Sequence, residues 1–178
     1  MNNSVPESPE VILLCGISGS GKTHYAKELE KQGYRRLSAD EIAWAQHGRN
    51  LVTMPLERQR AVYMQANMEL LVQLERALAD RRNTVVDSTL CSRQKRDVMR
   101  NLCRQFGVEP KLIFLQADKA LLRRRLDARK GLDANDQPVS MARLECFYAG
   151  FQPPEPDEHP EVIPQKYPRS VRSRHQNS

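Results

Sequence analysis

The chain has 178 residues, 39% of them hydrophobic, and a formal net charge of +6, enough for one sizeable core and short for two domains. No stretch approaches the roughly 20 apolar residues of a membrane-spanning helix, and the first ten residues lack a secretory signal pattern. The four cysteines (Cys15, Cys91, Cys103 and Cys146) form no C-x-x-C pair, so neither a disulfide framework nor a zinc site is indicated, and a soluble, cytoplasmic protein with reduced thiols and no membrane partner is expected.

In chain order, residues 1–9 read as a disordered start, 10–164 as one domain and 165–178 as a basic disordered tail. Glu10 to Cys15 is apolar without polar alternation, as in a strand buried on both faces of a parallel sheet. Lys22 to Lys31 has helical spacing, with Tyr25, Ala26 and Leu29 on one side, and ends near Gly33. A short strand is predicted at Arg35 to Ser38. A short helix from Asp40 to Gln46, capped by Ser38 or Asp40, precedes a polar break at His47 to Asn50. Leu56 to Ala79 contains neither Gly nor Pro, and Tyr63, Asn67, Leu70, Leu74 and Leu78 make a helical stripe.

Asn83 to Asp87 reads as a third strand. A helix from Ser92 to Phe106 is expected to turn Val98, Leu102 and Phe106 inward, and an apolar strand follows at Lys111 to Leu115. Asp118 to Lys130 is an arginine-rich helix, Gly131 to Pro138 a mobile loop, and Ser140 to Ala149 a helix. Pro153 to Pro160 reads as an extended connector and Glu161 to Ile163 as a last short strand. Such alternation predicts an α/β, three-layer architecture, a mostly parallel five-stranded sheet with helices on both faces.

The segment GISGSGKT, Gly16 to Thr23, fits G-x-x-x-x-G-K-[ST] between a buried strand and a helix, the context that a phosphate-binding loop requires and that marks the P-loop NTPase fold. Gly16, Ser18, Gly19, Ser20 and Gly21 would form a concave nest of N–H groups. Lys22 would reach the β- and γ-phosphates, and Thr23 would ligate Mg²⁺. ATP with Mg²⁺ is therefore the expected ligand.

Two aspartates stand at predicted strand ends. Asp87, followed by Ser88 and Thr89, is a candidate for holding the metal or the reacting group, with capping of the next turn as the alternative. Asp40 faces the carboxyl edge where open α/β sheets bind ligands and is a candidate general base, again with helix capping as the alternative. Arg125 and Arg129 lie four apart on one predicted helical face just before the loop at Gly131. This suits a lid that folds arginines over the phosphates, or else a solvated basic face. Trp44 is either a stacking surface for a base or sugar ring or a core residue.

Beyond the loop, SADEI at Ser38–Ile42, VVDSTLCSRQKR at Val85–Arg96, the Arg125/Arg129 pair and FQPPEPDE at Phe151–Glu158 resemble the polynucleotide-kinase-like P-loop family. That group neighbours the zeta toxins and the small bacterial kinases with an AAA-type ATP-binding domain. The resemblance spans Glu10 to Pro164. It implies that Lys22 and Thr23 bind phosphate and Mg²⁺, that Asp40 activates an acceptor hydroxyl, and that Asp87 and Arg129 complete the catalytic site. One position departs: phage-type members carry an arginine three residues after the catalytic aspartate to hold the acceptor's phosphate. Here that residue is Ala43, with Arg49 or His47 as replacements, which weighs against a 5′-hydroxyl nucleic acid end as acceptor.

The leading expectation is a P-loop kinase that moves the γ-phosphate of ATP to a hydroxyl of a small molecule or a nucleic acid end. The alternatives are a nucleotide-binding regulatory module or slow ATPase, and an RNA-repair or RNA-binding protein. No Glu or Gln stands beside Asp87 to orient a water, which favours an acceptor other than water. Four of the positive charges, Lys166, Arg169, Arg172 and Arg174, fall in 164–178, where no acid occurs, leaving a body of +2. The tail could make weak nucleic-acid contact or serve as solubilising disorder.

Overall fold

The computed structural model describes residues 8–166. The expectations of a disordered start and of a basic tail fall almost wholly outside the described residues. Within them, five strands form one sheet: β1 (Val11–Cys15), β2 (Arg35–Ser38), β3 (Thr84–Asp87), β4 (Lys111–Gln116) and β5 (Glu161–Pro164). Their order is β2-β3-β1-β4-β5 and every pairing is parallel. The central strand β1 is buried at each of its residues, as its unbroken apolar run requires.

Alternation along β1 sends its side chains to two different layers. Ile12 and Leu14 join Ala26, Tyr25 and Leu29 of α1 (Lys22–Lys31) on one face. Val11, Leu13 and Cys15 join Leu70, Leu74 and Leu78 of α4 (Leu56–Ala79) and Met99 and Cys103 of α5 (Arg93–Gln105) on the other. Each of those three sealed leucines is worth about 2 kcal/mol in transfer from water. Between them run α2 (Ala39–His47) and the single turn α3 (Asn50–Thr53). Beyond β4 lie α6 (Lys119–Asp127), α7 (Met141–Ala149) and a 3₁₀ turn at Pro156–Glu158. The expected three-layer architecture is present, and its sheet is wholly parallel.

Three local expectations are corrected. The inner face of α5 is Arg96, Met99, Arg100 and Cys103, while Val98 and Phe106 are exposed. The helix is rotated by about a third of a turn, Leu102 still packing against the core, because its arginines are what the core accepts. Arg96 donates from Nε and Nη2 to Glu158 at 2.7 and 2.8 Å, and Arg100 adds a bond to the same carboxylate at 2.9 Å. The connector at Pro153 to Pro160 is therefore not simply extended: its 3₁₀ turn, closed by a capping box between Glu155 and Glu158, carries that carboxylate inward. Finally, α6 stops at Asp127, so Arg129 lies past its end and does not share a helical face with Arg125.

Candidate functional site

The loop between β1 and α1 turns on glycines that no other residue could replace. Gly16 has φ +151°, and a Cβ there would stand 2.6 Å from Ser20 Oγ and 2.8 Å from the Leu115 carbonyl. Gly21 caps α1 in the left-handed region, at φ 101°. That helix begins with no side-chain cap and no acid in its first turn, whereas Ser38, Ser92, Asp118 and Ser140 cap α2, α5, α6 and α7. The amides that open α1 are thus left to an anion. Ser20 Oγ, sealed from solvent, also has no partner among the described residues.

Lys22 is buried, and its ammonium donates to the carbonyls of Gly16 at 2.8 Å and Ile17 at 3.2 Å. Burial lowers its pKa, against the pull of Asp87 and Asp40. Both aspartates therefore bear on the same ammonium. Neither is a helix cap: Ser38 Oγ takes the Glu41 amide at 3.4 Å and Ser92 caps α5.

Asp87, 3% exposed at the end of β3, receives Nε and Nη2 of Arg36, both at 3.1 Å and both on Oδ2. The sheet dictates this pair. Ser38 is in register with Asp87, so Arg36, two residues earlier, shares its face and lies diagonally across. Arg36 also binds Glu41 at 2.7 Å and Asn135 at 3.3 Å. Burial opposes its charge, but the carboxylates of Asp87 and Glu41 outweigh it and raise its pKa.

Asp40 opens onto the cleft, yet protein on most sides strips it of bulk water and raises its pKa, Lys22 and Arg129 pulling the other way. The Tyr63 hydroxyl of α4 lies near it and donates to Gln137 Oε1 at 3.3 Å. Gln137 belongs to the loop 128–138, which is fastened to itself by Asp136, whose carboxylate accepts the amides of Lys130 and Leu132. Arg129 reaches from this loop to Ser18 Oγ at 3.4 Å and to the Gln137 carbonyl at 3.3 Å. Arg125 donates to the Gly19 carbonyl at 3.0 Å. Both arginines thus lie against the phosphate loop.

Ala43 is fully buried against Leu51, Val62 and Ala66 between α2 and α4, so no longer side chain at that position could enter the cleft without displacing core. Trp44 is half-buried on α2, His47 is half-buried and Arg49 exposed. Sequence reasoning missed Arg36 and the cleft role of Tyr63. The signal for Arg36 was a charged residue on the same strand face as Ser38, at the strand end beside Asp87. Burial pushes Cys15 up to about 11 and Cys103 up to about 12, leaving both thiols inert.

The residues fit a nucleotide with its metal. The nest that a Cβ would fill, the uncapped start of α1 and the orphaned Ser20 hydroxyl suit phosphate oxygens. Thr23 on the first turn and Asp87 supply hard oxygen donors of the kind Mg²⁺ takes while keeping most of its waters.

A family model described as the AAA domain matches residues 11–154. Among solved structures, a putative kinase from Chloroflexus aurantiacus is similar over 93% of this chain and 92% of its own, at 21% identity and TM-score 0.75. A gluconokinase from Sinorhizobium meliloti is similar over 90% and 85%, at 21% identity and TM-score 0.63. An APS kinase from Mycobacterium tuberculosis, solved with AMPPNP and APS, is similar over 92% of each chain, at 19% identity and TM-score 0.54. At these identities the likeness is one of fold. No curated protein sequence gives a significant match. Among the described residues no helix is long and apolar enough to cross a membrane.

Proposed function

The chain belongs to the AAA domain family, and on that premise we propose that it is an ATP-dependent phosphotransferase that moves the γ-phosphate to a hydroxyl of a small molecule. The observation that carries this reading is the meeting of groups at one sheet edge: the Lys22 ammonium on the carbonyls of Gly16 and Ile17, Asp87 at the end of β3, Asp40 in the first turn of α2, and Arg129 bonded to Ser18 of the phosphate loop; burial raises the pKa of Asp40. A base is most effective when its pKa approaches the working pH.

Lys22, the loop amides and the start of α1 hold the phosphates. Thr23 and Asp87 would hold Mg²⁺, which would supply charge neutralisation to the phosphates. Arg36 holds the Asp87 carboxylate turned to its place. Asp40 takes the proton of the acceptor hydroxyl as its oxygen bonds to the γ-phosphorus and the bond from that phosphorus to the β–γ bridging oxygen breaks, ADP leaving. Arg125 and Arg129 cover the loop, exclude water and offset the charge that spreads over the transferring group. The kinases of similar fold support an ATP-driven transfer, and the buried Ala43 supports a small acceptor over a nucleic acid end.

The test is transfer of labelled γ-phosphate from ATP–Mg²⁺ to a deproteinised metabolite extract, with a 5′-hydroxyl RNA oligonucleotide in parallel and Lys22→Ala as blank. Label on small molecules that depends on Lys22 is the expected result. Label on RNA alone would contradict the small acceptor, and hydrolysis without transfer to either would contradict the enzyme class.

A further inference from the structure

The Arg36 guanidinium is gripped from two sides. Its inner edge, Nε and Nη2, donates to Asp87. On the outer edge Nη1 donates to Glu41 Oε1 at 2.7 Å, and Nη2 donates also to Asn135 Oδ1 at 3.3 Å. Asn135 closes the ring, donating from Nδ2 to the same Glu41 oxygen at 3.3 Å. Only one orientation of that carboxamide serves both neighbours, its carbonyl toward the guanidinium and its NH₂ toward the carboxylate. Although β2 is an edge strand, the Arg36 side chain is only 4% exposed.

Asn135 comes from the loop 128–138, 99 residues beyond Arg36, and that loop is a preformed unit. The Asp136 carboxylate gathers the amides of Lys130 and Leu132, Asp133 takes the Asn135 amide at 2.7 Å, and Gln137 donates back to the Ala134 carbonyl at 2.9 Å. The unit is fastened to the cleft at three places. Arg129 reaches Ser18 of the phosphate loop, Gln137 accepts from Tyr63, and Asn135 joins Arg36 and Glu41. The third fastening bears on the arginine that grips Asp87, a candidate metal ligand.

We propose that Asn135 is a positioning residue that ties the loop 128–138 to the metal site. Seated between Glu41 and Arg36, it fixes the guanidinium that fixes Asp87, so that this carboxylate is set for Mg²⁺ when the loop lies on the cleft. By linkage, Mg²⁺ bound with nucleotide favours the closed loop by the same factor as the closed loop favours the metal. This deepens the phosphotransferase reading and rests on it for its use: the site for the metal is completed as the cleft shuts to water.

The test measures AMPPNP binding by calorimetry with and without Mg²⁺. The parent should bind more tightly with the metal, and Asn135→Ala should lose about tenfold of that gain with its metal-free affinity unchanged. Leu132→Ser, an exposed position on the same loop, should keep the whole gain. In an Arg36→Lys background the further change Asn135→Ala should cost nothing more, because the route from loop to Asp87 is already cut. Hydrogen exchange supplies a second readout: adding Mg²⁺ to the AMPPNP complex should slow the amides of 128–138 in the parent and not in Asn135→Ala.

A full Mg²⁺ gain and full loop protection in Asn135→Ala overturn the proposal. Equal losses with and without the metal also overturn it, leaving Asn135 a structural contact, and additive losses in the double variant overturn the route through Arg36. Neither readout needs an acceptor. A Mg²⁺ gain that depends on Asn135, in a protein that labels no acceptor, would sink the phosphotransferase reading and leave the link between loop and metal site standing.

Discussion

Around Glu158 every charge is answered by protein, whereas around Lys22 the charges are left partly unanswered. Glu158 takes two bonds from Arg96, one from Arg100 and the Glu155 amide at 3.0 Å, while Arg96 spends its remaining donors on the Leu90 and Gln152 carbonyls. Burial would raise the Glu158 carboxyl, but these partners hold it at about 2. In the cleft the balance runs the other way: burial raises Asp40 and lowers Lys22. Saturated clusters of this kind fix a fold, and unsaturated ones have interactions to offer a ligand.

The sharpest way to break that contrast is to remove Asp40. Asp40→Ala should slow transfer by about 10²–10⁴-fold and leave nucleotide affinity nearly unchanged by calorimetry. Transfer at the parent rate would remove Asp40 as the base. Next in size is Glu158→Gln, which leaves two buried guanidinium groups short of their charge. We expect a loss of about 3–5 kcal/mol in urea unfolding, with nucleotide affinity retained. A loss under about 1 kcal/mol would mean that the clamp does not hold α5 to the sheet.

The two carboxylates should also answer pH with opposite signs. The folded value of Glu158 lies below the ordinary value of about 4.3. Its stabilisation is therefore complete above that ordinary value and drains as pH falls toward 2. Asp40 has a raised folded value, so the native state binds its proton more tightly and stability falls as pH rises from about 3.9 through that raised value. Asp40→Asn should accordingly leave Tm unchanged or higher at neutral pH while transfer is lost, and a fall of several degrees would contradict the strained-base account. In the parent, kcat/KM should show an acid limb above the ordinary aspartate range.

The smallest effect tests the turned helix. Phe106→Ser and Val98→Ser, both on the exposed face of α5, should shift stability by less than about 0.5 kcal/mol each. Met99→Ala, on the buried face, should cost about 2–5 kcal/mol.

What could be read from sequence follows the range of the interactions. The phosphate loop is written in eight consecutive residues, and the positions of Asp87 at the end of β3 and of Asp40 just past β2 are legible because where a strand stops is a local event. Arg36 meets Asp87 from 51 residues away and Tyr63 meets Gln137 from 74, so neither pairing is written in neighbouring residues. The orientation of α5 was misread for a related reason. A pattern of apolar spacing puts Val98, Leu102 and Phe106 inside, and only Glu158, 62 residues beyond Arg96, makes burying arginines favourable. The length of α6 failed more simply, since its end at Asp127 is marked by no glycine or proline before Gly131.

The most direct test of the account is the pH dependence of labelled phosphate transfer from ATP–Mg²⁺ to the small-molecule extract, in the parent and in Asp40→Asn. The account predicts Lys22-dependent label on small molecules, an acid limb above the ordinary aspartate pKa, and loss of both limb and transfer in Asp40→Asn with nucleotide still bound. Equal transfer by Asp40→Asn over the same pH range would contradict it.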